Sequence, residues 1–181
     1  MTDAPNYSFN GNSHRTDVCP LNSGFRLVNT SSTITKTIEE IYTFACEPVH
    51  PAWVNEQTTP IATSMAVVQF STGELIMIAP CEVQLAAEKY PSLGLEAKPC
   101  DSSALQWQAP SGRTLIMQPL APAAAFLPFT MLSMEESDSL GEGCSSQFTF
   151  VRNDGATIVF RHIMPPMTLG IDLRYAGEAP N

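Results

Sequence analysis

Three stretches of the chain carry strand-forming apolar residues on both sides of a turn dipeptide and read as strand, tight turn, strand, which is the pattern of a β-hairpin. From Gln147 to Ile163 the break falls at Asp154-Gly155, and a two-residue turn there sets Val151 opposite Ile158 and Phe150 opposite Val159. From Ala66 to Ala79 the break falls at Thr72-Gly73, pairing Phe70 with Leu75 and Val68 with Met77. From Leu105 to Gln118 it falls near Ser111-Gly112, with Trp107 about opposite Ile116. A last strand, Thr168 to Tyr175, places Leu169, Ile171, Leu173 and Tyr175 on one side and Asp172 and Arg174 on the other.

These registers make both faces of a hairpin apolar. Phe148, Phe150 and Val159 share one face of the third, with Val151, Ile158 and Phe160 on the reverse. A surface hairpin ordinarily has one polar face, so such a hairpin is expected at the centre of two layers or under a second chain. The first two hairpins also share a Leu-Ile-Met run, Leu75 to Met77 and Leu115 to Met117, which raises the question of an internal duplication.

Elsewhere the period is longer. Ile34, Ile38, Ile41, Tyr42 and Ala45 recur at helical spacing behind Ser32, a good N-cap, and predict an amphipathic helix over about 33–46, stopped by Pro48 and Pro51. Residues 80–90 are rich in helix formers behind a proline and predict a second, short helix. Between Ala121 and Met134 the prolines allow at most a short helical piece, and Phe129 to Met134 suits a strand. Residues 1–32 are polar with isolated apolar positions and read as an extended arm ahead of a single domain, 33–181. The expected fold is therefore α+β: an antiparallel sheet of three hairpins and a C-terminal strand, with two helices packed on it.

Charge changes the picture in one respect. Nine Lys and Arg against eighteen Asp and Glu give a net charge of −9, and the basic residues form no patch, so direct nucleic-acid binding is not expected. Only 15% of residues are charged, and fifteen prolines with abundant Ser and Thr finish a neutral surface suited to being partly covered by partners. The longest apolar run, Pro119 to Leu132, is too short and too rich in proline to span a bilayer, and no signal-peptide pattern opens the sequence. These readings point to a cytoplasmic protein, or one within an intracellularly assembled particle.

Candidate chemistry is sparse. Five cysteines at irregular spacing do not form a disulfide framework. Cys46 and His50 stand four apart as a loose metal pair, without the paired short spacings of structural zinc. Cys144, three residues ahead of the Gln147–His162 pairing in the assumed register, is the candidate nucleophile with His162 as its base. No Gly-x-Ser-x-Gly elbow, phosphate loop or dinucleotide fingerprint is present, and no cofactor is implied. Trp53, Trp107, Phe126, Phe129, Met131 and Met134 are the candidate interface anchors, since aromatics and Met are enriched in interface cores, and core packing explains them equally well. The expected function is a non-enzymatic structural or protein–protein interaction subunit, self-assembling or bound to a protein partner, such as a virion component. The alternatives are a small acidic inhibitor or immunity-type binding protein and a cysteine-dependent hydrolase or transferase.

Overall fold

The computed structural model describes residues 36–44, 61–86, 88–164 and 166–177. They form β1 (Thr37–Thr43), β2 (Ile61–Thr63), β3 (Ala66–Phe70), β4 (Leu75–Val83), β5 (Ser92–Cys100), β6 (Gln106–Gln108), β7 (Thr114–Ile116), β8 (Gln118–Pro119), β9 (Phe129–Ser137), β10 (Gln147–Arg152), β11 (Thr157–Ile163) and β12 (Thr168–Arg174). Two 3-10 turns, Ser102–Leu105 and Ala121–Ala125, are the only helical pieces among the described residues. Neighbouring strands run in the order β2, β12, β11, β10, β9, β1, β3, β4, β5, with β8 a further partner of β1 and β6–β7 a separate pair.

The long sheet folds over on itself. Phe129 and Thr130 of β9 pair with β1, while the rest of β9 pairs with β10. Only Ser64 and Met65 separate β2 from β3, yet β2 pairs with β12 and β3 with β1 and β4, so the chain turns a corner between the two halves. Both halves contribute to one core, with Ile38, Phe70 and Ile78 from one and Phe150, Phe160 and Ile171 from the other. Each such side chain contributes roughly 1.5–3 kcal/mol by leaving water.

All three expected hairpins are present, each one residue out of the expected register for the same reason. The loops are Ser71-Thr72-Gly73, Pro110-Ser111-Gly112 and Asn153-Asp154-Gly155, and the third residue of each is a glycine at positive φ. In each, the glycine N–H returns to the carbonyl three residues back: Phe70, Ala109 and Arg152. This is the three-residue loop that ends in a glycine bulge, and it slides one strand by one position relative to a two-residue turn. The slip resolves the apparent two-sidedness. Phe148 now faces Phe160 and Phe150 faces Ile158, so all four join one buried face. In the β3–β4 hairpin, Val68 meets Ile76 and Ala66 meets Ile78 in the same way. The reverse faces carry Gln69, Gln147, Thr149, Thr157 and Arg161, with Val67 and Val159 as buried exceptions.

The α+β expectation is wrong, and both helices are corrected. The described part of 33–46 is β1, in which Ile38 and Ile41 are fully buried. Their spacing of three mimics a helix because a β-bulge lies between Ile38 and Glu40, and the extra residue returns Ile41 to the face of Ile38. Thr37, Ile38, Ile41 and Thr43 are β-branched, which favours the extended form. In 80–90, β4 continues through Pro80 to Val83, and the other described residues of that stretch are irregular. Pro80 is tolerated because β3 ends its pairing with β4 at Ile78, leaving no partner there for the missing N–H. The strand over 92–100 has no clear signal in the sequence, since Gly94 and Pro99 lower its propensity. The arm, 1–32, lies outside the described residues.

Candidate interaction surface

The β6–β7 hairpin is built differently from the other two. Asp101 starts it by accepting the Ser103 N–H at 2.8 Å, a cap on the 3-10 turn that also holds its carboxyl below the usual range through the Ser103 hydroxyl and N–H. The base is closed by the Met117 N–H on the Leu105 carbonyl, with Met117 buried. Beyond that base the two strands pair only with each other among the described residues. Gln106, Trp107, Gln108, Thr114 and Ile116 are exposed, Trp107 at 48% and Ile116 at 55%. Trp107 pairs with Leu115, and Gln106 with Ile116, so large apolar groups stand on both faces. An isolated two-stranded ribbon is marginal in water, which makes this arm the least self-sufficient element described. At its tip, Arg113 has no acidic partner among the described residues.

A groove opens beside it. On the side of β1 away from β3, Thr37 and Ile38 pair with β9 and Tyr42 and Thr43 with β8, leaving a gap between. The Leu120 N–H on the Ile41 carbonyl bridges part of that gap. The groove, about 400 Å³, is walled by Leu120, Ala121, Ala124 and Leu127 and bracketed by Pro119 and Pro128, with Glu39 and Glu40 of the bulge on its other side. Neither glutamate has a cationic partner among the described residues; Glu40 accepts only the neighbouring Ile41 N–H.

Cys144 and His162 are brought to the same place and put to separate uses. The thiol donates to the Leu93 carbonyl at 3.5 Å. The imidazole Nε2 accepts the Met167 N–H at 3.1 Å, so Nδ1 carries the proton and donates to the Gly94 carbonyl at 3.0 Å. Both ring nitrogens are engaged and the residue is 2% exposed, so for His162 to take a proton one of these bonds would have to open. Burial, followed by the negative charges of Asp138 and Glu142, pushes the Cys144 thiol up, opposite to the shift that activates a nucleophile. These contacts serve instead to seal the outer edge of β5. Leu93 N–H donates to Glu142, Leu95 N–H to the Ser145 carbonyl, and Asp138 ties the loop together by accepting the N–H groups of Gly141, Glu142 and Gly143. Those bonds, the one from Gly143 foremost, hold the Asp138 carboxyl below its usual range.

Of the other anchors, Phe126, Phe129 and Met131 are buried in the fold and Met134 is half-buried against the core, so among the described candidates Trp107 alone is exposed. Trp53, Cys46 and His50 lie outside the described residues. Among the described residues, no three His, Cys, Asp or Glu side chains gather as a ligand set, and no helix is long and apolar enough to cross a membrane. Asp172, on the side of the last strand opposite Leu169 and Ile171, is 6% exposed and held by Arg161 at 2.9 Å with Arg174 at 3.6 Å. Ile116, Arg113, Glu39 and Glu40 escaped the sequence reading, because nothing in the sequence sets the bulge of β1 against residues 120–127. Comparison of the chain with protein-family models, curated proteins and solved structures finds no match.

Proposed function

We propose that this chain is a non-enzymatic protein–protein interaction subunit that works by inserting its β6–β7 hairpin into a partner, as a building block of a larger assembly such as a virion would. One observation carries the reading: the arm exposes Trp107 and Ile116 on opposite faces while burying little of its own surface. Aromatic groups of this kind are the usual energetic centres of interfaces. The test is light scattering of the purified chain over a range of concentrations, beside Trp107→Ser. The expected result is a species larger than one chain that the substitution weakens at least tenfold. A wild-type chain that stays monomeric at every concentration overturns the reading.

A second reading, an acidic inhibitor-type protein for a basic partner, has its own support. Glu135, Glu136, Asp138 and Glu142 lie together along the end of β9 and the following loop, with no cation bonded to any of them among the described residues. Complexes that persist undiminished in 1 M salt, where screening is nearly complete beyond about 3 Å, count against it.

A further inference from the structure

We propose that the partner is a second copy of this chain, whose β1 groove receives the hairpin with Arg113 set against Glu39 and Glu40; this rests on the reading of the hairpin as an interaction arm. The charges are complementary and unused. Lys36, Lys98, Arg152, Arg161 and Arg174 each have a carboxylate within salt-bridge distance; among the described residues Arg113 has none, and neither does Lys89, which lies over the Tyr90 ring. Glu39 and Glu40 lack a cation in the same way among the described residues, and no residue of β6 or β7 lines the groove of its own chain. The β-bulge matters here, since it brings two successive carboxylates to one opening, where an alternating strand would send them to opposite faces. A planar guanidinium with several donors suits such a pair.

The apolar surfaces match as well. The groove walls, Leu120, Ala121, Ala124 and Leu127, are small or aliphatic, and the arm offers Trp107 and Ile116 between neutral Gln and Thr residues. Prolines 119 and 128 keep the groove from being closed by a strand of its own chain. Connectivity then selects the symmetry. The arm runs through Met117 directly into β8 and on to Leu120, so each copy carries arm and groove side by side, and a two-fold pair lets each copy give one arm and receive one. A two-fold pair doubles the buried contact, toward the roughly 800 Å² per partner that a standard interface buries. The net charge of −9 opposes pairing at long range, and at about 0.15 M salt that repulsion is screened beyond roughly 8 Å while the buried contact is not.

The test uses the full chain in three forms: wild type, Arg113→Glu, and Glu39→Lys with Glu40→Lys. Circular dichroism establishes that each is folded, and light scattering at 0.15 M salt follows mass against concentration. The expected result is a wild-type dimer, a dissociation constant raised at least tenfold in each variant alone, and recovery of the dimer when the two variants are mixed. The mixture restores pairing because it holds one native contact and one with both charges exchanged. An assembly that survives both reversals overturns the groove as receptor and leaves the arm as an interaction element. Loss in both variants without recovery on mixing overturns the pairing of these charges. A wild-type chain that is monomeric throughout overturns this inference and the broader reading together.

Discussion

Gly94 is the tightest point of the β5 seal, and Gly94→Ala is the perturbation whose cost follows most directly from the structure. A Cβ there would stand 3.0 Å from Val83 Cγ2, 3.2 Å from the Ser145 carbonyl oxygen and 3.3 Å from Cys144 Sγ. Carbon atoms attract best at about 3.5–4.0 Å, so each neighbour must retreat by a few tenths of an ångström. None retreats freely. Val83 is β-branched and has little rotamer choice, and the Ser145 oxygen is the acceptor for the Leu95 N–H at 2.8 Å. Overpacking of this kind costs roughly 1–3 kcal/mol. Because Gly94 has an ordinary φ, alanine returns about 0.4–1 kcal/mol by restricting the unfolded chain. At the middle of both ranges the expected net loss is about 1.3 kcal/mol, which for a chain of this size lowers Tm by roughly 3–5 °C. Urea and thermal unfolding followed by circular dichroism measure it. A variant as stable as wild type would show that the loop over β5 yields freely, and the account of this edge as a tight seal would be refuted.

Two further outcomes test other parts of the description. Asp154 is held at about 2 by the Arg152 side chain and then by the Ala156 N–H, against an ordinary 3.8. A depressed carboxylate stabilises the folded form above its unfolded value and loses that contribution as pH falls from about 4 to 2. Carbon-detected NMR titration should find Asp154 still ionised at pH 3, and stability in Asp154→Asn should lose part of its dependence on pH in that window; a midpoint near 4 would refute the pairing. Cys144 should react with iodoacetamide at pH 8 several-fold more slowly than glutathione, since burial and two nearby carboxylates oppose the thiolate. Rapid labelling there would return a nucleophilic role to consideration.

The positions of the hairpins were legible because turn residues and the strand-forming runs beside them are local signals. Their registers were not, although the information was present: Ser-Thr-Gly, Pro-Ser-Gly and Asn-Asp-Gly each fit a three-residue loop as well as a two-residue one. The requirement that Phe148, Phe150, Ile158 and Phe160 share a face decides between them, and that requirement belongs to the whole core. The first helix failed for a similar reason. A bulge gives Ile38 and Ile41 helical spacing in an extended chain, and only the partner strand reveals it. Trp107 was legible as a candidate anchor from residue type alone. Phe126, Phe129 and Met131 were indistinguishable from it in sequence, because what separates them is burial under strands far away in the chain. The groove was not legible at all, being made by β1 changing neighbours from β9 to β8.

The corner between β2 and β3 has a consequence for the order in which the chain becomes a fold. Ile61, Ala62 and Thr63 find their strand partner in Ile171, Gly170 and Leu169, about a hundred residues later, a separation that slows folding because loop-closure entropy is lost before the contact forms. During synthesis, β3 and β4 can close on each other as soon as they are made, but β2 beside them must wait for the last strand. The corner therefore joins one of the earliest possible pairings to one of the latest. Until β12 arrives, one flank of the growing chain carries unpaired backbone, and loss of the final strand would leave that flank open in every molecule.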